Sequence, residues 1–184
     1  MSTVWSYPPQ PLSNAAGSAV TAAALTAGTP VPPPVIPGGT LDYGAKLFLE
    51  ADLEMTSTSA TPTLTLGFYI GSVGGAIGSA TLIAGTTAQA LSASAAAWPI
   101  TMRYKGTMRS LSPTAGQIQG TGELLYGTSL TAWGTSPFPS TAAARTVSTL
   151  NTQQNNQLDV GITLSATTGS PSITCTGFYA EIKG

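Results

Sequence analysis

The 184-residue chain carries six Lys+Arg, seven Asp+Glu and no histidine, so charged residues make up 7% of it, against about a quarter in an ordinary soluble domain. A net charge of −1 leaves no electrostatic footprint for nucleic acid or an anionic membrane, and no apolar run reaches the roughly 18 residues that span a bilayer. Without histidine the commonest general base and metal ligand are missing, and the single Cys175 can form neither an internal disulfide nor a cysteine-rich metal site.

The first 41 residues hold no charge at all, and eight of the fourteen prolines (Pro8, Pro9, Pro11, Pro30, Pro32, Pro33, Pro34 and Pro37) fall in the first 44. Proline fixes φ and brings no N–H, which excludes helix and central strand and leaves extended chain. Residues 1–40 therefore read as an extended Pro/Ala-rich arm, and 41–184 as the folded domain. Ala15–Leu25 is the one stretch compatible with a turn of helix; no Lys or Arg precedes it, so it is not expected to be a secretory signal. A segment of this composition is either a disordered linker or an arm held by other chains. On the second reading Trp5 and Tyr7, flanking Pro8 and Pro9, are the natural anchors, with Pro32, Pro33 and Pro34 as further contacts, because aromatics bury the most area per immobilised side chain.

From Gly44 onward the period is two. Leu47, Leu49, Ala51, Leu53 and Met55 alternate with Lys46, Phe48, Glu50, Asp52 and Glu54, a half-buried strand whose polar face is interrupted once, at Phe48. Thr63–Ile70, Trp98–Met108, Ile118–Tyr126 and Leu158–Leu164 alternate likewise, and shorter apolar pieces lie at Ala80–Ala84 and Arg145–Leu150. Ile173–Ile182 begins with odd positions apolar and ends with even ones, a phase switch that predicts a bulge at Gly177. Gly-, Pro- and Asn-rich turns separate these pieces. About eight antiparallel strands with uneven loops predict an all-β, jelly-roll-like β-sandwich.

Glu50, Asp52 and Glu54 share one strand face, as do Arg103, Lys105 and Arg109. A glycosidase needs two carboxylates held in different environments, and nothing in the spacing separates the three acids. Ion pairing between strands or between subunits accounts for both groups. Gly71–Gly78 lacks the Lys-Ser/Thr of a phosphate loop and reads as a hairpin loop; Cys175 reads as a small buried hydrophobe. No serine has a base or an elbow motif. No catalytic, cofactor-binding or metal residue is nominated, and an enzyme is not expected.

Several stretches carry a resemblance: Ile36-Pro37-Gly38-Gly39 leading into Leu41, Gly44 and Lys46; Thr61-Pro62-Thr63-Leu64-Thr65-Leu66-Gly67-Phe68-Tyr69-Ile70-Gly71; Ala97-Trp98; and Tyr126-Gly127-Thr128-Ser129. Over roughly four-fifths of its length the chain resembles β-sandwich virion structural proteins of tailed bacteriophages. That resemblance implies a jelly-roll domain that trimerises and no catalytic residues. With the arm, it leads to the expectation of a capsid decoration or minor capsid protein, made in the bacterial cytoplasm and located on the outer surface of the virion head. Its expected partners are the major capsid protein and copies of itself in a homotrimer, with no nucleic acid, membrane or small-molecule substrate. The alternative is a tail- or fibre-associated receptor-binding protein, for which Trp133 and Phe138, around the expected Gly134–Pro139 loop, are the candidates.

Overall fold

Strands that alternate apolar and polar residues must each bury one face, and the chain meets this demand by stacking two antiparallel sheets. The computed structural model describes residues 2–7, 10–12, 23–24, 34–56, 63–75, 77–90, 96–129, 132–141, 143–164 and 172–184. The proline-rich segment supplies four short strands, β1 (Ser2–Tyr7), β2 (Gln10–Leu12), β3 (Ala23–Ala24) and β4 (Val35–Ile36). The body continues with β5 (Lys46–Thr56), β6 (Thr63–Ser72), β7 (Thr81–Gly85), β8 (Gln89–Ala90) and β9 (Trp98–Ser110). Then come β10 (Gly116–Ser129), β11 (Ala132–Phe138), β12 (Thr146–Leu150), β13 (Asn156–Leu164) and β14 (Ser172–Lys183).

The larger sheet runs β1-β14-β5-β9-β10-β11, with β2 also on β14 and β12 also on β10. The smaller runs β3-β13-β6-β7, with β4 also on β13 and β8 also on β6. Pairing is nested: β5 lies against the last strand, β14, while β6 lies against β13, with the β9–β10 hairpin inside. This is the expected jelly-roll-like sandwich. The eight strands read from the alternation correspond to β5, β6, β7, β9, β10, β12, β13 and β14. One expectation fails: residues 134–138 of the expected Gly134–Pro139 loop belong to strand β11, which pairs with β10 from Phe138 opposite Gly122 to Ala132 opposite Ser129.

The inward positions fill the space between the sheets. Leu47, Leu49, Ala51, Leu53 and Met55 of β5 are all buried, as are Leu64, Leu66, Phe68 and Ile70 of β6. Phe68 projects from the smaller sheet into three rings of the larger one, with centroids 6.4 Å from Tyr104, 6.3 Å from Phe138 and 6.2 Å from Phe178. Tilted pairs at this separation each add about 0.5–1.5 kcal/mol beyond burial, so Phe68 ties the smaller sheet to three strands of the larger one.

The phase switch in β14 has the expected cause. Cys175 pairs with Leu53 and Gly177 with Asp52, leaving Thr176 as an extra residue. Its hydroxyl donates to the Asp52 carbonyl at 3.1 Å, so the bulged residue is held to the strand it skips. The glycines after Pro37 have a packing reason too. A Cβ on Gly38 would lie 2.2 Å from the Gln153 carbonyl oxygen, and Gly39 has φ +77°. Close approach there lets Gly38 N–H donate to Asn155 Oδ1 at 2.9 Å and Gly39 N–H to the Thr152 carbonyl at 3.0 Å.

β13 is buried on both faces along nearly its whole length. Gln157 and Asp159 lie on its outward phase, each 3% exposed. The Gly74 N–H donates to Gln157 Oε1 at 2.9 Å, and Gln157 Nε2 donates to Asp159 Oδ2 at 2.7 Å. Asp159 Oδ1 has no partner.

Candidate interaction surface

Outward positions of the larger sheet collect all the charges of the chain except Asp42, Arg145 and Asp159. The ladder sets them in rows. One row reads Tyr179, Glu50, Arg103, Glu123 across β14, β5, β9 and β10; the next reads Glu181, Phe48, Lys105, Thr121. A shallow trough of about 470 Å³ crosses this face, with Phe48, Glu50, Arg103, Lys105, Tyr179 and Glu181 among its lining residues.

The two charge groups read from the sequence are brought together in part. Arg103 forks onto Glu50, with Nε 3.0 Å from Oε2 and Nη2 3.5 Å from Oε1, and its Nη1 lies 4.0 Å from Glu123. The Glu50 hydrogen bond and charge raise the Arg103 pKa further, fixing it as a cation. Asp52 makes no ion pair among the described residues; its Oδ1 accepts from the Thr101 hydroxyl at 2.8 Å. Glu54 lies opposite Pro99. Lys105 lies opposite Phe48, its ammonium 5.4 Å from the ring centroid, and Lys183 approaches the same ring at 5.0 Å. Arg109 is exposed at the far end of β9, away from the three acids. Ion pairing within the chain thus engages Glu50 and Arg103, and the other four residues take other neighbours.

The individual residues read as missing from these groups are Phe48, Glu123, Tyr179, Glu181 and Lys183. Phe48 was visible as the one interruption of the polar face of β5. The β14 residues share the polar phase after the bulge, and Lys183 pairs with Glu181 at 3.0 Å. Burial, and after it the hydrogen bond to Glu181, raise the Tyr179 phenol above its ordinary value.

The uncharged segment lies along sheet edges. β1 continues the larger sheet beyond β14, placing Trp5 opposite Ala180 and Tyr7 opposite Phe178. β2 resumes on the same strand with Gln10 opposite Cys175. On the smaller sheet, Ala23–Ala24 and Val35–Ile36 pair with the two ends of β13. Pro8, Pro9, Pro32 and Pro33 lie outside the described residues. Pro34 is buried within this chain, its carbonyl accepting the Leu158 N–H at 2.9 Å, so it is not an exposed contact. The compositional boundary near residue 40 is therefore crossed by ladder pairs on both sheets.

The pair proposed for a distal tip separates. Phe138 is 1% exposed and belongs to the core beside Phe68, whereas Trp133 is 64% exposed on β11. Cys175 is buried as expected, and burial raises its thiol pKa to about 12.

No family model matches the chain, and no curated protein matches it. Among solved structures, it is similar to peanut lectin with a 9mer peptide (8% identity, TM-score 0.45, covering 100% of this chain and 98% of that one). It is also similar to the CBM2 module of the evolved Dit of Lactobacillus casei BL23 phage J-1 (11% identity, TM-score 0.36, covering 80% and 66%). A third similarity is to lectin I of Ulex europaeus in complex with the methyl glycoside of α-L-fucose (9% identity, TM-score 0.40, covering 98% of each chain).

Proposed function

We propose that this chain is a non-enzymatic structural protein of a tailed-phage virion, and more narrowly a capsid decoration or minor capsid protein on the outer surface of the head. It binds the major capsid protein and copies of itself as a homotrimer, through its N-terminal segment and the β-domain. The observation that carries this reading is the uncharged, proline-rich segment lying on the edges of both sheets. Neutral backbone can be covered by other protein without desolvating a charge. Three such segments on one trimer raise each other's effective concentration, so modest contacts add up to a lasting clamp.

The test is co-sedimentation of the full-length protein with DNA-free shells of the phage that encodes it. Wild type should pellet with shells at hundreds of copies per particle. Val4→Pro, which removes a backbone N–H from β1, should bind more weakly while keeping its far-ultraviolet circular dichroism. Failure of wild type to bind shells, or undiminished binding by a folded Val4→Pro, would overturn the proposal. A second reading, a receptor-binding protein of tail or fibre, is favoured by the exposed Trp133. It predicts only a few copies per particle and a loss of adsorption to host cells in Trp133→Ala.

A further inference from the structure

We propose that β1 and β2 are exchanged between copies of the chain, so that residues 2–12 of one copy complete the edge of β14 in its neighbour. This rests on the reading above that copies of the chain assemble with one another, and it names the contact through which they do so.

The acceptor is a long edge. Among the described residues, β14 has β5 on one side and β1 and β2 on the other. Without them, Ser172–Lys183 would present a row of unpaired N–H and C=O groups, interrupted only by the bulge. The donor segment matches that edge in detail. Tyr7 pairs with Phe178 and Gln10 with Cys175, so β1 and β2 keep one register across the interval between them. In sequence that interval is Pro8-Pro9, and on β14 it is Thr176-Gly177, where the bulge breaks regular pairing. The two residues of the donor sequence that lack N–H groups thus correspond to the interval of β14 that holds its one extra residue, Thr176. The match selects β14, and it is the same match for the β14 of every copy.

The tether permits the exchange. Between Leu12 on the larger sheet and Ala23 on the smaller one lie residues 13–22, which are Ser, Asn, Ala, Gly, Val and Thr only. Fully extended they reach about 33 Å, whereas packed sheets are about 10 Å apart. A reach of that order is about the diameter of a small domain, enough for the two strands to dock on an adjacent molecule. The segment has no charged side chain with which to pair to its own body, since the first in the sequence is Asp42. A row of backbone groups without a charged side chain is also the kind of edge that invites pairing with another chain.

The experiment uses the full-length protein with paired cysteines at opposed ladder positions, Val4→Cys with Glu181→Cys and, separately, Ser6→Cys with Tyr179→Cys. After mild oxidation at high protein concentration, non-reducing electrophoresis separates bonds within one chain from bonds between chains. Exchange predicts that most oxidised protein runs as covalent dimers and trimers that reductant returns to monomer. Mixing tagged Val4→Cys chains with untagged Glu181→Cys chains should give a mixed disulfide. Oxidation confined to the monomer band, with the mixed product absent, would overturn the proposal. So would absence of any cross-link at both pairs, since β1 would then not lie on β14. Cross-linking between chains that nevertheless ignore phage shells would retain the exchange and remove the capsid assignment; shell binding by internally cross-linked monomers would do the reverse.

Discussion

Asp159 is a carboxylate in a place that suits a neutral group. It is 3% exposed, it accepts one hydrogen bond from Gln157 Nε2 at 2.7 Å, and its second oxygen has no partner. Burial raises its pKa above the ordinary value, and the Gln157 bond only partly opposes this. The folded chain therefore holds the proton to higher pH than the unfolded chain does. Its contribution to stability is complete below the unfolded pKa and is lost as pH rises through the folded one. The titratable group opposite it on β6 is Tyr69, whose own pKa is raised by burial, so it stays neutral over the same range. Asp159→Asn keeps an oxygen for Gln157 and removes the charge. An orphaned buried acceptor costs about 1–3 kcal/mol, more when ionised, and the amide leaves a neutral unmatched group in its place; a net gain of about 1–2 kcal/mol is expected above the folded pKa. At about 2–4 °C per kcal/mol for a chain of this length, Tm should rise by about 2–8 °C at pH 8. At about pH 3.5, below the unfolded pKa of an aspartate, the two proteins should melt together. Differential scanning fluorimetry across that range reads the difference directly. An equal difference at both ends, or a variant less stable at pH 8, would refute the reasoning.

Three further outcomes follow from burial and pairing. With its thiol pushed up to about 12, Cys175 should resist iodoacetamide at pH 8 until the protein is unfolded; rapid labelling of native protein would contradict its buried placement. Arg103→Ala should change stability by no more than about 1 kcal/mol, because both partners of the Glu50 pair are more than a third exposed and solvent screens them; a urea midpoint will show whether this holds. Phe138→Ala should cost about 3–5 kcal/mol as a core deletion, while Trp133→Ala on the same strand should stay within about 0.5 kcal/mol. Comparable losses in the two variants would place Trp133 in the core as well.

What the sequence disclosed depended on whether one strand carried its own signal. β6 and β13 alternate cleanly and β5 does so but for Phe48, and the β14 bulge announced itself because an extra residue must shift the phase of everything after it. β11 was missed because Trp133–Phe138 contains Gly134 and Pro137 and does not alternate; its identity as a strand comes from pairing with β10. β1 and β2 were hidden for a related reason, since proline composition dominates the segment and the strands exist by virtue of the β14 edge. The charge groups were legible as faces of strands, and their partners were not. A two-residue change in register would keep both apolar faces inward and still set Glu50 against a different residue of β9, and the alternation of either strand alone does not exclude it. Phe48 was noticed as an exception, but its meaning, a ring between two ammonium groups, required β9 and β14 alongside.

The distribution of charge also sets the direction in which such a sandwich can grow. Covering the outer face of the larger sheet would desolvate ionised side chains on four adjacent strands, which is expensive unless every one finds a partner. The edge formed by β1 and β2 carries no such penalty, so association through backbone pairing along the edge is easier than stacking on the face. That pairing is finely balanced. Fixing a residue in extended conformation costs about 1–2 kcal/mol, and each ladder hydrogen bond returns about 0.5–1.5 kcal/mol net. On backbone bonds alone the segment gains little by docking, so the concentration of available β14 edges decides where it docks. In dilute solution the chain's own β14 is the nearest edge. At high local concentration a neighbour's edge competes with it, and a segment with weak preference for its own body is the one in which the proposed exchange can occur.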